Sequence, residues 1–222
     1  MQLLPETDLQ SVHALSIAWH LPPWDVLLVG DGSGSGWHLP AGWACILVEA
    51  ASGGRRVLHG GLSTGTSVMA ELLPYIHALA WYHEKRLREG RLGICRVAIV
   101  TDCRPIAVQG ASLRRGDRRP DDLRSMGPLW AAVDAFEPLG YLLDWHYKPR
   151  ATSALNAYAD DLSKSCFKAM KKVPMPTTPD GRAELSAYDC NASTDEDGPL
   201  HAFSPKPRRK SRRQACPPDE DV

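Results

Sequence analysis

WDVLLVGDGSGSG, residues 24–36, opens with a short apolar run from Trp24 to Val29 that ends at Gly30-Asp31-Gly32. An apolar run of this length, bounded by glycines, reads as a buried central strand ending at a carboxylate. A second stretch repeats the pattern: RVAIVTD, 96–102, is apolar up to Asp102. If the two strands are parallel neighbours, their C-terminal ends bring Asp31 and Asp102 together. Two buried carboxylates side by side repel one another unless a cation lies between them.

The segments between and around these stretches complete the pattern. GWACILVEA (42–50) and VLHGGLS (57–63) read as strands, with the turn residues Ser52-Gly53-Gly54 between them, so a hairpin is predicted. Thr66 or Ser67 can cap the next element. From Ala70 to Arg88 the apolar residues Leu72, Ile76, Leu79 and Tyr82 recur at helical spacing, and Pro74 is expected near the first turn. Glu71 falls in that first turn. RPIAVQG after Asp102 predicts a short helix, residues 128–136 another, YLLDWHYKP (141–149) the last strand, and residues 152–170 a final helix, with Asp160 on the side opposite its core residues or at the edge. The order of elements predicts an α/β fold: an antiparallel three-strand start feeding a parallel crossover, with helices on both faces.

The rest of the chain divides by composition. Residues 1–24 read as an N-terminal helical extension, with Leu9, Val12, Leu15 and Ile17 near one face and Pro22-Pro23 as its stop. Residues 25–172 form the predicted domain. After Lys172 proline, serine and charged residues dominate, so residues 173–222 are expected to be a disordered tail, with the basic segment KPRRKSRR at 206–213.

Composition excludes some functions and leaves others open. Lys+Arg and Asp+Glu both number 26, so net charge does not announce a nucleic-acid partner and local charge must carry that argument. A basic loop, Arg114, Arg115, Arg118 and Arg119, suits a phosphate backbone, though Asp117, Asp121 and Asp122 partly neutralise it. The six cysteines form no CxxC pair and no zinc spacing, which points to reduced thiols in an intracellular protein, nuclear or cytoplasmic. No apolar run is long enough to span a membrane, and the N-terminus lacks a signal-peptide pattern. Tyr158-Ala159-Asp160-Asp161 spells the YxDD of polymerase sites, but that motif needs a hairpin and here it lies in a helical pattern.

Asp31, Glu71, Asp102 and Asp160 thus form an oxygen-only set, suited to Mg²⁺ or Mn²⁺ rather than zinc. VGDGSGSG with AGWACILV, TSVMAELLPYIHAL, VTDCRPIAVQG and ALNAYADDLSK together resemble, in order and spacing, the type 1 ribonuclease H family, including the domains attached to reverse transcriptases. The likeness covers about residues 25–170. It implies a five-stranded mixed sheet in the order 3-2-1-4-5. It also implies two metal ions held by Asp31, Glu71, Asp102 and Asp160, and endonucleolytic hydrolysis of the RNA strand of RNA/DNA hybrids. Contacts to nucleic acid are implied at Ser33, Ser67, Arg104 and Arg150. Two positions depart from the family. Arg150 stands where many members carry a catalytic histidine, and His146 falls within the last strand instead. Of the polar pair that reads the RNA minor groove, Ser67 and Val68, only Ser67 can hydrogen-bond. Two alternatives follow: a nuclease of this fold acting on another nucleic acid, or a non-catalytic nucleic-acid-binding module. The resemblance names no protein partner.

Overall fold

The computed structural model describes residues 9–35, 39–114, 127, 131, 133–150, 153–172 and 187–188. In chain order these give α1 (Leu9–Ala18), β1 (Val26–Gly34), β2 (Leu39–Glu49), β3 (Arg55–Gly65), α2 (Ser67–Arg88), β4 (Cys95–Thr101), α3 (Arg104–Arg114), β5 (Tyr141–Tyr147), α4 (Ala154–Met170) and β6 (Ala187–Tyr188). The strand order is β5-β4-β1-β2-β3-β6. Pairings β1–β2 and β2–β3 are antiparallel, and β1–β4 and β4–β5 are parallel. The mixed sheet 3-2-1-4-5 predicted from sequence is therefore the one observed. The basic loop from Arg115 onward and the segment 206–213 lie outside the described residues.

Alternation along the strands sends side chains to two cores. Val26, Leu28, Cys45, Leu47, Val97, Ile99, Leu143 and Trp145 pack with Leu72, Tyr75, Leu79 and Tyr82 of α2 and Ile106 of α3. Leu27, Val29, Ile46, Val48, Ala98 and Val100 pack on the other face with Leu155 and Ala159 of α4. Both faces of the sheet are thus covered, as all-apolar central strands require.

The N-terminal helix belongs to the second core. Val12, Leu15 and Trp19 are buried there, each contributing roughly 1.5–3 kcal/mol of burial. Ile17, expected on the same face, is exposed, because positions 12, 15, 16 and 19 make the helical stripe and 17 falls off it. Ser16 sits on the stripe; its hydroxyl donates to the Val12 carbonyl and accepts from the Trp24 indole. Lys148 Nζ donates to the Trp19 carbonyl at 2.6 Å, tying the end of α1 to the segment after β5.

Three further expectations are corrected. Helix α2 starts at Ser67, with Met69 N–H donating to Thr66 Oγ1 as its cap, so Pro74 lies in the helix interior and Glu71 in the second turn. Strand β1 does not stop at Asp31. It continues to Gly34, and Asp31 pairs with Ala44 of β2, while the pairing with β4 ends at Val29 and Val100. Within the expected disordered tail, Ala187–Tyr188 pair with Gly61 and Leu62 at the edge of β3. An edge strand offers unpaired backbone groups to any segment that reaches it. Among the described residues no helix is long and apolar enough to cross a membrane.

Candidate active site

The parting of β1 from β4 creates the site. The Tyr75 hydroxyl sits in that fork, 2.9 Å from the Gly30 carbonyl and 3.0 Å from the Val100 carbonyl. Its single proton is shared between these two carbonyls, at the end of the β1–β4 pairing, and ties together the ends carrying Asp31 and Asp102. Glycines at 30 and 32 leave β1 bare on the α2 side, where a β-carbon on Gly30 would lie 2.7 Å from the Tyr75 ring. Helix α2 therefore closes onto the strand, and Glu71 reaches around to Asp31. Ligand atoms of Asp31, Glu71 and Asp102 all lie within 4.8 Å of one another.

Asp160 joins from α4. Its place at the edge or outer side of that helix, expected from apolar spacing, is not what is found. It is buried, on the same face as Asn156, Ala159 and Ser163. Gly42 of β2 allows the approach: a β-carbon there would lie 2.2 Å from the Phe167 amide nitrogen. Ser163 Oγ donates to Asp31 Oδ2 at 2.6 Å, and Lys164 Nζ to Asp160 Oδ2 at 2.5 Å. Arg150 spans the remaining oxygens. Its Nε donates to Asp102 Oδ2 at 2.6 Å and its Nη2 to Asp31 Oδ1 at 3.1 Å. Its Nη1 lies 3.2 Å from Asp160 Oδ1, an ion-pair contact without hydrogen-bond alignment.

Electrostatics follow from this crowding. Burial pushes Glu71 up to about 9, helped by the charges of Asp31 and Asp102 and opposed by Arg150 and the Gly32 amide. Burial pushes Asp31 up to about 6, against the hydrogen bond from Ser163. Partial burial pulls against the Arg150 charge. The hydrogen bond to Asp102 and the charges of the three aspartates outweigh it and hold the guanidinium protonated.

Glu71 Oε2 is buried and meets no hydrogen-bond donor among the described residues. An orphaned carboxylate oxygen facing two other carboxylates, in an all-oxygen set, fits a hard divalent cation.

Of the other residues named from sequence, Ser33 is half-buried in the last part of β1. Ser67 is exposed at the start of α2, and its Cα would be 3.5 Å from a β-carbon on Gly34. Arg104 is exposed at the start of α3. Arg150 is turned into the carboxylates rather than away from them. His146 lies in β5, beside Val100. Sequence reasoning missed Ser163, Lys164 and Tyr75. The first two were detectable as polar residues three and four positions after Asp160 on one helical face. Tyr75 resembled any core aromatic.

The fold is that of ribonuclease H. It is similar to LC11-RNase H1, isolated from compost by a metagenomic approach, with a TM-score of 0.50 and 18% identity over 68% of this chain and 100% of that one. It is also similar to RNase H1 from the halophilic archaeon Halobacterium salinarum, with a TM-score of 0.48 and 21% identity over 65% of this chain and 98% of that one. For the N-terminal RNase H domain of a Mycobacterium tuberculosis protein the TM-score is 0.48, with 19% identity over 68% and 98% of the two chains. At such identities the likeness concerns the fold. No protein-family model matches the sequence, and no curated protein matches it.

Proposed function

We propose that this protein is a metal-dependent endoribonuclease that hydrolyses the RNA strand of RNA/DNA hybrids. The observation that carries the reading is the convergence of Asp31, Glu71 and Asp102 within 4.8 Å, with Asp160 joined to them through Arg150. In this fold Asp31, Glu71, Asp102 and Asp160 would hold two Mg²⁺ or Mn²⁺ ions. Such a pair, when bound, lowers the pKa of water and offsets charge on the attacking and leaving oxygens of a phosphodiester.

The chain's own groups then have distinct tasks. Ser163 and Lys164 each hold one oxygen of Asp31 and Asp160, which leaves the other oxygen aimed into the site. Ser33 and Ser67 offer hydroxyls beside the end of β1, where a 2′-hydroxyl would identify an RNA strand. Arg104, exposed just after Asp102, suits a backbone phosphate. Arg150 cannot take up or release a proton at neutral pH, so no side chain at that position shuttles protons and turnover should be slow.

One observation favours a second substrate class. Val68 packs against the α2-side core and has no polar atom to offer, so RNA-strand recognition at this helix end rests on Ser67. That suits a nuclease of the same fold acting on another structured nucleic acid. A purely non-catalytic module is disfavoured by Glu71, whose buried Oε2 faces Asp31 and Asp102 and meets no donor among the described residues, an arrangement that a domain without a metal ion has no use for.

The test is cleavage of labelled RNA/DNA hybrid, duplex DNA, duplex RNA and single strands, with Mg²⁺ or Mn²⁺ and with chelator. Metal-dependent cutting of the RNA strand of the hybrid is expected. Preference for another duplex would move the substrate assignment, and no cleavage of any substrate would remove the nuclease reading.

A further inference from the structure

Each buried aspartate of the site has one oxygen already committed to α4. Asp31 Oδ2 accepts from Ser163 and Asp160 Oδ2 from Lys164. The oxygens left for a cation are Asp31 Oδ1 and Asp160 Oδ1, and Arg150 reaches both, together with Asp102 Oδ2. Three nitrogens of one guanidinium thus face three different carboxylates. Only the planar fork of arginine can do this; a lysine ammonium is a point charge on a flexible stem.

We propose that Arg150 is an internal counter-ion that divalent metal must displace, so that loading the site is an exchange of cations rather than the filling of a ready cage. The inference rests on the metal-site reading above. The guanidinium and the metal need the same oxygens, and both cannot have them. Arg150 lies on the segment between β5 and α4, and its side chain is 44% exposed, so the head group can leave towards solvent without crossing the core. Glu71 Oε2 meets no donor among the described residues, and Asp160 Oδ1 has only an unaligned ion-pair contact with Arg150, so an incoming metal gains oxygens that the guanidinium leaves without a hydrogen bond. The exchange keeps the aspartates from facing each other without any cation.

Two states of the Arg150 side chain follow. If Arg150 is seated in roughly nine molecules in ten, apparent metal affinity is about tenfold below that of a site without the arginine.

The experiment is calorimetric titration of the protein with Mn²⁺ alone, without nucleic acid, on the parent, Arg150→Ala, Arg150→Gln and Arg88→Ala. Thermal melts of the same preparations are taken with chelator and at saturating Mn²⁺. Arg150→Ala and Arg150→Gln should bind Mn²⁺ roughly tenfold more tightly than the parent. Both should melt lower than the parent in chelator, and that gap should close or reverse with Mn²⁺. Arg88→Ala removes the same charge from the exposed end of α2 and should leave the affinity unchanged. Unchanged or weaker binding by both Arg150 variants overturns the proposal, as does a melting gap that is the same with and without metal. A shift in Arg88→Ala equal to that in Arg150→Ala also overturns it, because net charge then explains the effect. If Arg150→Ala is soluble only with metal, that is the expected direction, and Arg150→Gln decides the affinity. Failure of every variant, parent included, to bind Mn²⁺ saturably would instead remove the metal-site reading on which the exchange depends.

Discussion

Gly32 and Glu71 are held so close that a β-carbon on Gly32 would lie 2.4 Å from the Glu71 amide nitrogen, and 2.5 Å from the Ala70 carbonyl oxygen. The obstacle is helix backbone, which cannot rotate away as a side chain would. Gly32→Ala should therefore push α2 off β1 and carry Glu71 away from Asp31. Overpacking of this kind costs about 1–3 kcal/mol. Urea denaturation should report that loss, and Mn²⁺ affinity should fall with it. A variant with parental stability and affinity would show that α2 can shift freely.

Glu71 dictates a pH dependence. Its pKa rises from an ordinary 4.5 to about 9 in the folded protein. Between these values the folded state keeps a proton that the unfolded chain has lost, so stability falls as pH rises through this window. Below pH 4.5 both states are protonated and the contribution is fully present. Asp31, raised from 3.8 to about 6, adds to the slope at its lower end. Metal-free protein should lose stability from about pH 4.5 towards 9, and Glu71→Gln should flatten the curve above pH 6. Denaturation midpoints across that range check it. Metal binds the ionised forms, so Mn²⁺ affinity should climb over the same interval.

Asp31→Asn and Asp102→Asn each remove a repelling charge and a ligand together. Asp31→Asn should be at least as stable as the parent in chelator near neutral pH, and both variants should be nearly inactive with metal. The double variant should lose little beyond either single change, because groups acting as one unit are non-additive. Full cleavage by Asp102→Asn would exclude it from the metal set.

The two ends of the chain should behave differently. Leu15 is buried between α1 and the sheet, so Leu15→Ala should cost about 2–5 kcal/mol. Deleting residues 173–222 removes only the two-residue pairing of Ala187–Tyr188 with β3 from what is described. Unfolding should stay cooperative, and the midpoint should move little. Loss of the 206–213 basic segment should weaken nucleic-acid binding most at low salt. A truncated chain without a cooperative transition would show that the tail completes the core.

The strand and helix sequence was legible from apolar rhythm, and Asp31, Glu71 and Asp102 stood out because each lies at a break in it, at VGD, VTD and the start of the Leu72–Tyr82 helical stripe; the sheet order 3-2-1-4-5 came with the family resemblance. The burial of Asp160 was not legible. Apolar periodicity describes faces that pack against hydrocarbon, whereas α4 turns Asn156, Asp160 and Ser163 towards other polar groups. Arg150 read as a loop residue free to meet phosphate, because its partner Asp31 is 119 positions away and no local pattern encodes that contact. Pro74 was expected near the helix start because prolines are tolerated there. Its interior position makes sense beside Gly30, where a β-carbon would meet it at 2.8 Å.

The four carboxylates are spread over most of the folded chain, on β1, on α2, just after β4 and on α4. The β1–β2–β3 hairpins are local and can form early, but β1–β4 pairing must close a long loop first. Asp160 arrives only when the last helix docks. During synthesis, then, no partial chain holds the complete set, and metal meets at most three of the four carboxylates until about residue 170 has emerged. A divalent ion should accordingly slow unfolding far more than it speeds folding, because the contacts it rewards are among the last to form.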